Sequence, residues 1–512
     1  MSSTLTDGRL WSGLATAAGA ALVGACTLAL VLRLEGASYK AWVVVVGIAL
    51  LPTVLAVVGH PKELFLFGWV FSLTYNRQYF IFEPLVGYNG TQGPYIILAD
   101  ICFFALIAWW IYERVMQHPV HVPESAPLWP WFLPFAALSF LSIFSAERPD
   151  WAAYEMLRVV KAGMILLYIR HNFGRREWGV ALAALACAVF FQSSVAIKEV
   201  ITGKAGVIGA STVADAPEFV QQFENGGFTG SIVRGVGTLA HPPYLACYLL
   251  LVLPVLLAIA LTAPKRKAVL NAGVFLVGCG GLAATLSRWP WIVAGVEIIL
   301  VVAALVLVRQ VAVQHAFGLV IVGSFILLLA LLPFREKLMN RLTGDFTESV
   351  RYRAEGTRAS FEAIEDYPLL GFGLNNTAIH FGKYLPQMEW ALVTQEFAAH
   401  TLHLRAPVAL GNGFLHVAEE IGIPGLIAFV IFVVGGLWNG VRSIVVTAGL
   451  QRAVCIGMVV GILGTLAEQV ADTPLWVDPV LFTFILYFGM LNVAGSLFRH
   501  GRTPAAPSSV PA

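Results

Sequence analysis

Five arginines stand near boundaries between apolar runs and polar loops, and their chemistry is where the sequence first suggests work. Arg288 lies in Ser287-Arg288-Trp289, between two apolar runs and with no acidic residue beside it. Arg234 precedes the run Gly235-Val236-Gly237-Thr238-Leu239-Ala240-His241-Pro242-Pro243, and Arg351, Arg353 and Arg358 share a polar stretch of helical composition. A guanidinium keeps its charge at any physiological pH and presents a planar fork of N–H donors matched to phosphate oxygens. Several such forks at one membrane boundary suit a diphosphate at the end of a lipid. The plainer alternative is that they snorkel or pair with Glu348, Glu355 and Glu362.

A second group runs Asn412-Gly413-Phe414-Leu415-His416-Val417-Ala418-Glu419-Glu420-Ile421-Gly422-Ile423-Pro424-Gly425. On a helix, Asn412, His416 and Glu419 or Glu420 fall on one face. A histidine with a carboxylate one turn away has the makings of a general base whose ring the carboxylate orients. The alternative is an asparagine cap followed by polar residues that pair across helices.

These residues must be positioned by a membrane-embedded scaffold. Of the 512 residues, 58% are hydrophobic and only 12% charged, against about 45–50% and about 25% in soluble domains. That excludes an ordinary soluble enzyme and a disordered chain, and a net charge of +2 gives no field to recruit nucleic acid. The six cysteines are scattered without a C-x-x-C pair, so neither a disulfide framework nor a zinc site is implied. No cofactor is expected.

Apolar runs long enough to cross a bilayer occur near 10–34, 41–59, 64–82, 95–112, 128–146, 152–170, 178–200, 243–263, 268–286, 289–308, 316–334, 413–438, 453–470 and 475–498. The first is too long for the core of a signal peptide. The expected fold is therefore all-α, a polytopic integral membrane protein with about 12–14 transmembrane helices and a large periplasmic loop. Basic loops at 170–176, 265–267, 442–452 and 499–502 mark the cytoplasmic side and place both termini there. The segments near 84–94, 201–242, 287–288, 335–412 and 471–474 then face the periplasm. The chain divides into N-terminal spans 1–200, spans with a Gly-rich periplasmic loop 201–334, a large periplasmic loop 335–412, C-terminal spans 413–498 and a disordered cytoplasmic tail 499–512. Within the large loop, Tyr352 to Asp366 reads as a helix ending before Pro368, with Gly371-Phe372-Gly373 as a turn. Asp100, Glu297, Glu468 and the trio Glu155, Arg158 and Lys161 are costly in lipid and should face the bundle interior, as structural pairs or as a proton or substrate path.

The spacing Asn412-x-x-Leu415, then Glu420-Ile421-Gly422-x-x-Gly425, resembles the signature of the O-antigen ligase and polymerase superfamily of bacteria. Three further matches keep the family's order: Arg234 to His241 with Pro242, Ser287-Arg288, and Arg353 followed by Asp366-Tyr367-Pro368-Leu369-Leu370-Gly371-Phe372-Gly373. The resemblance implies a metal-independent glycosyltransferase of the inner membrane, working on the periplasmic face. Its donor would be an undecaprenyl-diphosphate-linked glycan, its acceptor a glycan or a lipid, in contact with membrane lipids and with no nucleic acid. By position, Arg288 and Arg353 would bind donor, with Arg234, His241 and Asn412 as further substrate contacts. The family histidine that assists the acceptor falls at Gly411 here. His416 is the first substitute, then His403, His400 and the carboxylates of Glu419 and Glu420. Polymerisation of O-antigen or exopolysaccharide is slightly favoured over ligation to a lipid A core or a protein. A lipid-glycan flippase or transporter is the competing class, though related halves and paired broken helices are not seen. A non-catalytic assembly scaffold is the third reading.

Overall fold

The computed structural model describes residues 61–75, 79–80, 95–116, 128–203, 233–239, 241–314, 347–384 and 412–499, with four isolated positions between 318 and 339. They lie almost wholly in the second of two compact units, residues 1–66 and 67–512. In chain order the helices are α1 (Pro61–Ser72), α2 (Leu98–Met116), α3 (Trp129–Leu141), α4 (Pro149–Asn172), α5 (Arg175–Thr202), α6 (Pro242–Thr262), α7 (Lys265–Ala284), α8 (Arg288–Leu307), α9 (Thr347–Asp366), α10 (Thr377–Tyr384), α11 (Gly413–Val446), α12 (Gly449–Glu468) and α13 (Asp478–Leu497). The strands β1 (Tyr79–Phe80) and β2 (Tyr95–Ile96) form one two-residue antiparallel pair. Among the described residues seven helices, α5 to α8 and α11 to α13, are long and apolar enough to cross a membrane. The protein is an all-α polytopic membrane protein.

The centre of the bundle is α6. Every residue from Tyr244 to Ala260 is buried, which a helix apolar on all sides requires. It packs against α12, α7, α8 and α13. Against α12 the backbones nearly touch, because a Cβ at Gly457 or Gly461 would run into the backbone of Val255 or Leu251; small residues at four-residue spacing permit that approach. A second group, α3, α4 and α11, is joined to the first through α13 and through the packing of α11 against α12. Large apolar side chains such as Val269, Ile299 and Leu307 point outward, as a surface solvated by lipid tails would have them.

Several expected spans have different bounds. The run at 64–82 yields only the twelve-residue α1, which ends at Ser72. The Ser72 and Thr74 hydroxyls turn back onto the carbonyls of Trp69 and Phe71, and the Thr74 carbonyl leaves the helix to accept from Gln192 and Thr238. The run at 128–146 is a shorter helix, α3, followed by a 3-10 turn at Ser142–Ser145. The helix expected over 413–438 continues to Val446 with a break at Gly422. The spans at 10–34, 41–59 and nearly all of 316–334, most of the loop 201–242, and His400, His403 and Gly411 lie outside the described residues.

The acidic and basic residues of the N-terminal spans form pairs. Lys161 Nζ lies 2.8 Å from Asp100 Oδ1, and Arg158 contacts Glu155 at 2.5 Å and Asp478 at 2.6 Å. Arg158 Nη2 also donates to the Trp476 carbonyl at 2.9 Å, and the Tyr95 hydroxyl donates to Asp478 at 2.8 Å. This network ties α2, α4 and β2 to the turn between α12 and α13. Buried ions need such partners.

Candidate active site

The end of the bundle where α5, α7 and α12 finish and α6, α8, α11 and α13 begin collects most of the candidate residues. Arg234 is held there by the segment 233–239, which has no helix or strand of its own and borrows hydrogen bonds from its neighbours. Glu199 in the last turn of α5 accepts from the Val236 and Gly237 amides at 2.8 and 3.0 Å. Gln192, two turns earlier, accepts from Thr238 N at 2.9 Å and donates to its hydroxyl at 2.6 Å. The Gly235 amide donates to Ala284 O at 2.8 Å. The Arg234 side chain then reaches over the turn between α7 and α8, donating to Thr285 O at 2.9 Å and Ser287 Oγ at 2.8 Å.

That turn delivers Arg288 as the first residue of α8, directly beside the Arg234 contact. The next residue fastens α8 to α12, with Trp289 Nε1 donating to Ala467 O at 3.3 Å. The Arg353 side chain is exposed on α9 and lies within electrostatic range of Glu468 and Asp472. Among the described residues Arg353 forms no hydrogen bond or ion pair. Arg358 differs: it pairs with Glu362 at 2.8 Å on the exposed face, the plainer of the two expected readings. His241 precedes α6, and its ring lies 5.0 Å from that of Tyr244. Burial and the nearby Arg234 charge push its pKa down to about 3, so it is neutral at physiological pH.

Asp472, in the turn after α12, was not singled out by sequence reasoning. Its Oδ1 accepts from the Thr473 amide at 2.8 Å, and both Arg234 and Arg353 act on it electrostatically. Burial outweighs those two charges and lifts its carboxyl above the usual range. The same turn holds the start of α11, since the Gly413 amide donates to Gln469 O at 2.7 Å and to Asp472 O at 3.2 Å. Within the adjoining helices, Glu297 and Glu468 are both buried, and Glu297 lies against Gly464, one turn from Glu468. The only sequence signal for Asp472 was its place in a short loop of the arginine-bearing side.

The second candidate group forms a compact joint. Asn412 caps α11, its Oδ1 accepting from Phe414 N at 3.0 Å and Leu415 N at 3.1 Å. His416 is 5% exposed, with Nδ1 3.3 Å from Glu419 and Nε2 3.5 Å from Glu420. The Trp476 ring packs edge-on at 4.5 Å between centroids. Glu420 Oε1 accepts from Asn375 N at 2.8 Å and from the Thr377 hydroxyl at 3.0 Å. Backbone bonds complete the clasp: Phe372 N to Glu419 O at 2.9 Å, Gly373 N to Glu420 O at 3.0 Å and Ile423 N to Pro368 O at 2.9 Å. The two glycines that face one another here have positive φ, +63° at Gly371 and +75° at Gly422. A Cβ on Gly371 would strike the Glu419 carbonyl, and one on Gly422 the Leu369 carbonyl. Two motifs that are far apart in sequence thus interlock, and His416 is part of the lock.

Residues 272–430 match the family model for O-antigen ligase. The match bears out the resemblance to the O-antigen ligase and polymerase superfamily and covers the latter part of α7, α8, the arginines of α9 and the first half of α11. No curated protein matches the chain. The family implies a ligase- or glycosyltransferase-like reaction on lipid-linked glycan in a membrane.

Proposed function

We propose that the protein transfers a glycan from an undecaprenyl-diphosphate-linked donor to an acceptor hydroxyl at the periplasmic face of the bacterial inner membrane. The observation that carries this reading is the gathering of Arg234, Arg288 and Arg353 at one end of the bundle. Arg234 and Arg288 flank the same turn, and Arg353 shares Asp472 with Arg234. Guanidinium forks there would hold the diphosphate oxygens and stabilise the charge that develops as the lipid diphosphate departs. Such a step needs no metal: the acceptor oxygen bonds to the anomeric carbon, the bond from that carbon to the phosphate oxygen breaks, and the diphosphate leaves with the electron pair. The joint around His416, Glu419, Glu420 and Thr377 would fix the polar loop of α9 and α10, and hence Arg353, over the end of the bundle.

Polymerisation is the favoured form of the reaction, on the spelling Asn412-Gly413-Phe414-Leu415. Purified protein supplied with lipid-linked oligosaccharide alone tests this directly. Chain growth without further acceptor supports a polymerase, transfer only onto added lipid A core or protein supports a ligase, and binding without transfer favours a flippase or scaffold.

A further inference from the structure

We infer that Asp472 is the catalytic base that takes the proton of the attacking acceptor hydroxyl, an inference that rests on the glycosyl-transfer reading above. Three observations carry it. The first is place: the turn bearing Asp472 holds the start of α11, through Gly413 N to Asp472 O at 3.2 Å, and it follows directly on α12, whose last turn is fastened to the start of α8 by Trp289 Nε1 to Ala467 O at 3.3 Å. The turn therefore lies at the end of the bundle where the proposed donor-binding arginines gather, with Arg234 and Arg353 near enough to act electrostatically on the carboxylate.

The second observation is availability. Asp472 Oδ1 accepts only from its neighbour's amide, and among the described residues no cation lies within ion-pair distance of the carboxylate. His416, by contrast, has a carboxylate against each of its ring nitrogens. The third is electrostatic setting. The charged and titratable groups acting on Asp472 or acted on by it are Arg234, Arg353, Glu468 and the Cys247 thiol. The arginines keep the ionised form accessible, while burial makes it a stronger base than a solvated aspartate.

In the step so assigned, the hydroxyl proton passes to the Asp472 carboxylate as the oxygen bonds to the anomeric carbon, and the lipid diphosphate departs against Arg234, Arg288 and Arg353. The test uses the full-length protein with lipid-linked oligosaccharide and compares Asp472→Asn, Asp472→Glu and His416→Gln. A positioned base contributes about 10²–10⁴-fold, so Asp472→Asn should lower turnover by about that factor. The acid limb of its pH–rate profile should vanish while polyprenyl diphosphate binding persists. Asp472→Glu should keep part of the rate and shift that limb, and it serves as the measurement should the asparagine variant fail to fold. Near-normal turnover in Asp472→Asn, or an acid limb that persists there and disappears in His416→Gln, overturns the assignment. Transfer by the wild type with an unaltered Asp472→Asn would sink the aspartate alone. Absence of transfer and of diphosphate binding in the wild type would sink the parent reading.

Discussion

Replacing Glu420 by alanine should loosen the joint that holds the polar loop to α11, and the size of the effect follows from what Glu420 accepts. It is 1% exposed, and its Oε1 receives the Asn375 amide at 2.8 Å and the Thr377 hydroxyl at 3.0 Å. A buried donor left without a partner costs about 1–3 kcal/mol. The Thr377 hydroxyl can turn toward His416 Nδ1, 3.5 Å away, but the Asn375 amide is fixed by its backbone. The joint should therefore weaken by about 1–3 kcal/mol, which is roughly a 5- to 150-fold rise in the undocked population. Amide hydrogen exchange reads that population: protection at Phe372, Gly373 and Asn375 should fall by the same factor. Exchange deep within α6, far from the joint, should stay slow. Glu420→Gln retains a carbonyl oxygen for the Asn375 amide and should lose much less protection, since it forfeits charge rather than the acceptor. Unchanged protection at Asn375 in Glu420→Ala would refute the claim that this carboxylate holds the loop.

Four further outcomes are expected. Gly422→Ala places a Cβ against the Leu369 carbonyl at φ +75°, a region costing other residues about 1–3 kcal/mol before any clash, so its thermal midpoint should fall clearly below that of a control such as Gly273→Ala, where a Cβ meets open space. Arg288→Lys keeps charge but loses the two-pronged geometry; turnover should drop with protein level unchanged, and near-normal activity in Arg288→Ala would remove that residue from the donor site. His241 is held near pKa 3 in the fold by burial and Arg234 against about 6.5 when unfolded. The unfolded chain therefore takes the proton first, and stability present above about pH 6.5 is lost as pH falls from there toward 3. His241→Gln should flatten that loss, as a pH series of thermal midpoints would record. Cysteines placed at Gly206 and Gly382 should label in intact cells, and labelling only after permeabilisation would reverse the proposed sidedness.

The sequence alone carried the membrane class, the positions of the seven helices long and apolar enough to cross a membrane, and the family. Those depend on local properties, namely apolar runs of bilayer length, basic loops and short motifs, and need no knowledge of neighbours. Arg234, Ser287-Arg288 and Asn412 could be picked out for the same reason, and a helix ending at Asp366 ahead of Pro368 could be expected. What the sequence could not decide was which polar groups meet. Arg353 and Arg358 lie five residues apart on one helix and read alike, yet Arg358 pairs with Glu362 while Arg353 has no such partner among the described residues and acts electrostatically on Asp472. His416 spaced one turn from a carboxylate reads as a general base, but the fold sets carboxylates against both its nitrogens and Trp476 against its ring. Glu199 and Gln192 sit in an apolar helix and gain meaning only when the segment 233–239 arrives to use them. Asp472 is an ordinary aspartate in a short loop until the start of α11 is brought against its turn and Arg234 and Arg353 into its range. Pairing across hundreds of residues depends on packing, and packing of helices in a bundle is a property of the assembled surfaces rather than of any one stretch of chain.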